Sequence, residues 1–426
     1  MKRKNIYLTA AFLIGCFVWL LSLPRTATSQ QAWVRLDREG GGVFEDLQTL
    51  EVGDADVLWA ASMGTGLFRN TYSNGSWNTN SFTEYLPGHS IFGVDAIAVT
   101  SGTTTEYVLV GTGKNGIYYQ SATGGNFATN GWNRPTGFTN NWNLARVHDI
   151  AFYWPQTGNP SNMQTEYFAI LHELEDEYGS YNSGLYRWKA DESNFKRIDV
   201  GDPYPERKYS HFYRDIATKN VLYAIRGLGP NTPPDYYGGL VKISGTYASP
   251  TVADVTIVNN LQKVFGFSQW MDGSDVYSYV SVAYRDQSDI IHYAVYCDKN
   301  GSGYNAIWTD YTPGVEAVVI GKPYTSGVNT HHYLWMLDGG YGAWFHDTGT
   351  NTSVQINGST NLNDDPDLKR WSRRAVIPDI QGHVNEAAGE KMRLIAGTHH
   401  GGIYYLTYTT SPTWTPVNNH VYAVEP

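Results

Sequence analysis

The densest run of ionisable side chains in the sequence is His172-Glu173-Leu174-Glu175-Asp176-Glu177, with Tyr178 and Tyr181 close behind it. Clustered carboxylates beside phenols suit two chemistries: oxygen ligation of Ca²⁺, or an acid and a base acting on a glycosidic bond. The Asp-x-Asp-x-Asp-Gly spacing of a calcium loop is absent, so a Ca²⁺ site here would rest on charge density alone. A solvated acidic loop is the plainer alternative. A second segment joins Asp235 to Tyr236 and Tyr237 behind Pro230, Pro233 and Pro234, and a third carries Asp338 and Tyr341. Tyrosines on loops stack on sugar rings or anchor a protein partner, and prolines reduce the entropy lost when such a loop is ordered. His399-His400 could join His172 in metal binding or proton transfer. Neighbours on an extended segment point to opposite sides, so one of the pair, taken as His399, would face a site. No phosphate loop, paired-cysteine metal spacing, haem attachment sequence or nucleophile elbow is present.

The elements that must position these residues are strands. Gly (44) and Tyr (32) are abundant and Trp is frequent (14), a composition suited to pleated, half-buried surfaces joined by tight turns. No amphipathic helical stretch of three turns follows Gln30. One pattern recurs instead: an apolar strand, a second apolar strand, a Gly-containing turn, then a third strand opening Gly-apolar-aromatic. It is read at Phe44–Leu47, Val57–Ala61 and Gly66–Arg69, and again at Val94–Val99, Tyr107–Gly111 and Gly116–Tyr119. The third unit runs Val147–Phe152, Tyr167–Leu171, Gly184–Arg187, and the fourth Arg214–Ala217, Val221–Ile225, Gly239–Lys242. A divergent fifth, with strands at Val276–Tyr284 and Ile290–Tyr296, precedes Ala317–Ile320, Tyr333–Leu337, Gly342–Phe345 and finally Ala375–Pro378, Arg393–Gly397, Gly402–Tyr405. A period of about 55 residues fits four-stranded blades with insertions, so the spacing predicts an all-β, seven-bladed β-propeller of antiparallel blades over residues 30–426. Four-stranded sheets with two apolar faces must stack on neighbours, and ring closure leaves no unburied end. First strands are expected near Asp46, Asp95, Asp149, Asp215, Phe267, Ala317 and Ala375. Ala32–Leu36 and Trp414–Val417 both have the character of an outermost closing strand.

The segment Gly66-Leu67-Phe68-Arg69-Asn70-Thr71-Tyr72-Ser73-Asn74-Gly75-Ser76-Trp77 resembles a degenerate Asp-box, with a longer version from Gly116 to Trp132. The chain is therefore similar to the Asp-box (BNR-like) propellers of the sialidase-like, sortilin-like and xyloglucanase-like families, and Trp33 followed by Gly40-Gly41-Gly42-Val43 resembles how such chains begin. The expected turn aspartate is replaced at Tyr72 and Thr123. The resemblance implies the fold and very little function, since the box is a folding motif. Arg373-Arg374 resembles the arginine clamps of sialidases, but the Arg-Ile-Pro signature is missing, with only Ile377-Pro378 nearby. In propellers of this kind ligands meet the face built by second-to-third and fourth-to-first loops. That places His172–Asn182, Gly229–Tyr237, 338–341, His399-His400 and the loop Tyr204–His211 on one face, formed by blades 3, 4, 6 and 7, with His331-His332 on the opposite one.

Met1-Lys2-Arg3-Lys4, the apolar run Ile6–Leu23 and Ala27-Thr28-Ser29 compose a secretory signal over residues 1–29, with cleavage before Gln30. Leu13-Ile14-Gly15-Cys16 offers a lipoprotein box, and the uncleaved run is long enough to anchor the chain in a bilayer. Loss of Lys2, Arg3, Lys4 and Arg25 leaves the mature chain four charges more negative than the −10 of the full sequence. Nucleic acid is a poor partner for such a surface, and a membrane enters only through the N-terminal segment. Cys297 then stands alone, which excludes an internal disulfide and marks it as a buried thiol. The reading that follows is a secreted or cell-surface, non-catalytic propeller binding an extracellular glycan or protein. The alternatives are a glycoside hydrolase-like enzyme pairing Glu173 or Glu175 with Asp235 or Asp338, and a structural subunit of an extracellular assembly.

Overall fold

A computed structural model describes residues 33–409 except 36–42, 53–54, 78–81, 102, 135–145, 154–165, 172–183, 190–191, 193, 200–208, 228–237, 310–316, 339–341, 357–370, 379–382 and 399–402. The described strands form seven antiparallel sheets in chain order, the blades of a β-propeller. Second strands are among the most buried, as in Glu166–Leu171, where all but the first residue are buried. Outer strands such as Pro250–Val255 alternate between exposed and half-buried positions. This gradient explains the continuous apolar runs in the middle of each repeat and the mixed sequence at its margin. The second blade completes its sheet of Ile91–Ser101, Thr103–Thr112 and Ile117–Thr123 with a single bridge between Tyr119 and Asn133. Blade 5, the divergent one, is regular: Leu261–Asp272, Asp275–Arg285, Ile291–Lys299 and Asn305–Thr309.

The ring is visible in the apolar clusters, each of which lies between blades. Trp59 and Leu67 of blade 1 pack with Val94 and Val108 of blade 2, and Ile97 and Leu109 pack with Ile150 and Tyr167 of blade 3. Ala151 and Phe168 meet Phe212 and Leu222 of blade 4, and Ile225 and Leu240 meet Phe267 and Val280 of blade 5. A broad cluster joins blades 5, 6 and 7 through Tyr279, Trp335 and Leu394. Leu47 and Leu58 return to Ile395 and Ile403, so blade 7 packs on blade 1. Each fully buried Leu or Ile in these seams contributes about 1.5–3 kcal/mol relative to exposure. Of the two candidate closing strands, the N-terminal one is described: Trp33–Arg35 pairs antiparallel with Ile403–Thr409 as the outer strand of blade 7. Residues 414–417 and the leader, 1–29, lie outside the described residues. No helix among the described residues is long and apolar enough to cross a membrane. Cys297 is buried and free, and burial pushes its thiol up to about 12.

Buried carboxylates stitch the inner strands together. Asp46 Oδ2 accepts the Val94 N–H at 2.8 Å, Asp95 Oδ2 accepts the Phe152 N–H at 2.8 Å, and Asp149 Oδ2 accepts the Phe212 N–H. Each bond runs from one blade to the next. One sequence expectation is corrected here. The first strand of blade 4 is Tyr209–Arg214, not Arg214–Ala217, and His211 belongs to it rather than to a loop. The reason is local: Asp215 Oδ1 captures the N–H groups of Ala217 and Thr218 at 3.1 and 2.6 Å, folding the chain into a turn just after Arg214.

Replacing Asp149 by alanine leaves the buried Phe212 and Ile150 N–H groups without their acceptor. The expected loss is about 2–4 kcal/mol of unfolding free energy, read as a lower denaturant midpoint at constant m-value. An unchanged midpoint would contradict the stitching role. A second expectation concerns His332, which is buried between blades 5 and 6 with Nδ1 at 3.0 Å from the Tyr279 hydroxyl. Burial, reinforced by His331, lowers its pKa from 6.5 to about 4. The fold therefore holds the ring neutral. Its contribution is complete above pH 6.5 and is lost as pH falls from there towards about 4. Unfolding free energy against pH should fall more steeply across that window in the native chain than in His332→Gln, the two diverging by about 2–3 kcal/mol. Parallel profiles would exclude His332 as the cause.

Candidate functional site

The face carrying the second-to-third loops contains a cavity of about 460 Å³ between blades 2 and 3. Its walls are residues 88–90 before the first strand of blade 2, Phe92 within that strand, residues 113–115 in the second-to-third loop, and Arg146 at the start of blade 3. Each piece is placed by local chemistry. Pro87-Gly88 forms a turn with Gly88 at φ +74° and a 3.2 Å bond from the His89 N–H to the Leu86 carbonyl, the pattern of a type II turn. His89 emerges from it with Nε2 at 3.2 Å from the Tyr118 hydroxyl. The inner strand has a register shift between Ile91 and Gly93, which gives Phe92 the extra position of a β-bulge and turns it to the cavity.

The opposing loop is equally tied. Thr112 Oγ1 donates to the Gly116 carbonyl at 2.9 Å and accepts the Asn115 N–H at 2.9 Å. The Gly113 N–H donates to the Ser90 carbonyl at 2.9 Å, latching one wall to the other. Arg134 donates to the Asn115 carbonyl at 2.8 Å, and its guanidinium lies 5.2 Å from the Tyr118 ring centre. Arg146 is held 4.9 Å from the Phe92 ring centre, so its planar fork has a fixed backing. The lining therefore offers an imidazole, a hydroxyl, an amide, an ammonium and a guanidinium, and none of its described residues is acidic.

A second cluster lies where inner strands converge. His211 Nδ1, from blade 4, is 3.1 Å from Asp149 Oδ2 and 3.5 Å from Asp46 Oδ1. The three groups offer ligand atoms within 4.8 Å of one another, the spacing a metal would need. Their oxygens are already engaged: Asp46 accepts from Leu47 and Val94, and Asp149 from Ile150 and Phe212. Three residues further along the same strand, Arg214 Nη2 donates to Asp95 Oδ2 at 2.7 Å and to the Phe152 carbonyl at 2.9 Å. Burial pushes the carboxyls of Asp46 and Asp95 upward, against the pull of His211 and Arg214 respectively. The arrangement is a set of cross-ring ties rather than an open coordination site.

Of the residues singled out from sequence, Glu173, Glu175, Tyr178, Tyr181, Asp235, Tyr236, Tyr237, Tyr341 and His399 lie outside the described residues, and the Ca²⁺ reading of the acidic loop lies there with them. Asp338 is described in its backbone: it ends the strand Asn329–Asp338, opposite Ala317 and Gly342, at the loop face expected for it. His331 and His332 pair with Tyr324 and Pro323 near the other end of that strand, on the opposite face as expected. The cavity residues were not among the sequence candidates, because blade 2 has a short second-to-third loop. The signal was present in Leu86-Pro87-Gly88-His89 and Gly113-Lys114-Asn115-Gly116, two turn sequences on the same face of one repeat.

No protein-family model matches this sequence, and no curated protein sequence does. Among solved structures, an ulvan lyase of polysaccharide lyase family PL25, bound to a GlcA-Rha3S repeat, is similar at 10% identity and TM-score 0.42, over 89% of this chain and 96% of that one. A protein of unknown function from Dyadobacter fermentans is similar at 9% identity and TM-score 0.40, over 88% and 97%. The lectin SapL1 in complex with alpha methyl fucoside is similar at 11% identity and TM-score 0.34, over 73% and 94%.

The latch between the walls sets an expectation. A Cβ at Gly113 would stand 2.7 Å from Phe92 Cε2, and that buried ring has little room to move. Gly113→Val should cost about 1–3 kcal/mol, seen as a lowered melting temperature. A variant as stable as the parent would show that the cavity wall is not packed as described.

Proposed function

We propose that this chain is a secreted propeller that binds an extracellular glycan, without cleaving it, in the cavity between blades 2 and 3. The observation that carries the reading is the cavity itself, about 460 Å³ with a polar lining on walls hydrogen-bonded to one another. That volume falls in the range of small-ligand sites, about 300–1,000 Å³. A protein partner would instead need a broad surface, about 800 Å² on each side, so the concavity favours one or two sugar units. Hydroxyl-rich ligands need many donors and acceptors held in place, and Ser90, Asn115 and His89 supply them from tethered backbone. Hydrolysis would require two carboxyl groups about 5–10 Å apart, and the described lining residues supply none. The secreted part of the reading is supported by the basic start, apolar run and small residues of segment 1–29, the pattern of a signal sequence.

The acidic and tyrosine-rich loops of blades 3 and 4 are the competing location on the same face, and one experiment separates the two. Glycan-array hits would be titrated calorimetrically against Ser90→Ala/Asn115→Ala and against Tyr178→Ala and Tyr236→Ala. The cavity reading expects the double variant to lose about 1–3 kcal/mol of binding with an unchanged melting temperature, and the tyrosine variants to bind like the parent. Loss confined to the tyrosine variants would move the site to those loops. The absence of any sugar ligand would end the glycan reading.

A further inference from the structure

We infer that the seam between blades 2 and 3 contains a binding site for water, and that one resident molecule there bridges the Tyr167 hydroxyl to the Gln120 side-chain carbonyl. The site is a cavity of about 50 Å³, separate from the larger one, walled by Tyr119, Gln120 and Asn133 of blade 2 and by Phe152 and Tyr167 of blade 3. Tyr167 is fully buried, and its hydroxyl has no hydrogen-bond partner in the protein. Gln120 is 8% exposed, and its Oε1 has none either. Two orphaned polar atoms from different blades thus belong to the lining of one small cavity. One is a donor and the other an acceptor.

Neither group is able to turn elsewhere. The Tyr167 ring stacks on Trp188 at 5.3 Å between centroids and meets the Phe152 ring edge-on at 5.7 Å, so packing fixes it where it lines the cavity. Burial, reinforced by Tyr119, pushes its pKa upward, which keeps the phenol protonated and able to donate. Gln120 Nε2 donates to the Ala128 carbonyl at 3.2 Å, which assigns the amide and leaves Oε1 to accept from another donor. Gly131 makes room for that orientation, since a Cβ there would stand 2.6 Å from Nε2.

A phenylalanine would fill the seam as a tyrosine does without burying an unpaired hydroxyl, so the hydroxyl calls for a partner. Water fits by size and by chemistry. Its share of liquid volume is about 30 Å³, and a buried molecule makes about three hydrogen bonds. It accepts from Tyr167, donates to Gln120 and has a third polar group at hand in Asn133, which is exposed. An ion is disfavoured, because every described lining residue is neutral and offers no counter-charge. The position gives the water a role. Among the described residues, the third strand of blade 2, Ile117–Thr123, has only the Tyr119–Asn133 bridge as backbone pairing on its outer side. A water at Gln120 ties that thinly paired strand to the second strand of blade 3.

The test uses the full mature chain, with water itself as the probe. A crystal structure at atomic resolution should show an ordered water about 2.7–3.0 Å from both Tyr167 Oη and Gln120 Oε1. Thermal unfolding of Tyr167→Phe, Gln120→Met and the double variant supplies the second readout. Each single variant should melt about 1–3 °C below the parent, and the double variant should lose less than the two shifts added, since either change alone releases the shared water. A Tyr167→Phe variant that melts at or above the parent would overturn the inference, because deleting an unpaired buried hydroxyl stabilises. So would strictly additive shifts, or a crystal structure that places an ion or a protein group against the hydroxyl. None of these outcomes touches the glycan reading, which rests on the other cavity.

Discussion

A carboxylate withdrawn from water must be given donors, and the inner strands of blades 1 to 4 are arranged around that demand. Asp46, Asp95 and Asp149 each take a backbone N–H from a following blade, while Arg214 reaches back from blade 4 to supply positive charge to Asp95 and His211 comes within 3.1 Å of Asp149. Strand bulges recur at the start of these inner strands, between Phe44 and Asp46, Ile91 and Gly93, Val147 and Asp149, and Ser210 and Phe212. Each bulge breaks the ladder and leaves N–H groups that a carboxylate can cap. The tie sets how closely blades approach: Gly93 lies so near Asp149 that a Cβ there would meet its Cα at 2.6 Å. Removing any one group would strand its partner, so the network is retained or lost as a unit.

The other half of the ring is built differently. Blades 5, 6 and 7 share one apolar cluster, and their close approaches are packing contacts, with Gly266 against Val318 and Gly321 against the Tyr279 ring. The polar half holds the cavity for a physical reason. The same bulge that frees backbone donors for Asp46 also rotates Phe92 out of the strand face, where it backs Arg146. The cavity wall and the cohesion between blades thus draw on a single backbone irregularity.

Most of the fold was legible because burial repeats. A strand stacked on both faces must be apolar throughout, and the Gly-apolar-aromatic opening of each third strand marks the turn before it, so seven units could be counted without coordinates. The start of blade 4 was misplaced because Arg214-Asp215-Ile216-Ala217 has strand-like residues, while the turn depends on where the Asp215 side chain points. The site was less legible. Loop length and carboxylate density drew attention to His172–Asn182 and Gly229–Tyr237, whereas the cavity is made by short loops from two blades. His89, Lys114 and Arg146 are 25 or more positions apart at their nearest sequence neighbours or belong to different repeats, and only the register of the ring reveals them as neighbours. Aspartates 46, 95 and 149 were seen as strand markers. Their bonds to the next blade are tertiary facts that a single repeat does not contain.

The pairing of Trp33–Arg35 with Ile403–Thr409 has a bearing on how the molecule is made. The first of the described strands finds its partner only when the last described blade has been made, so a contact spanning nearly the whole described chain completes the circle. Such a contact carries a large loop-closure entropy and comes late. Until then blades 1 and 7 each present an apolar face, including Leu47 and Ile395, to the surroundings. The growing chain is thus an open arc with two adhesive ends, and throughout that interval it is exposed to wrong partners, including the ends of other copies of itself.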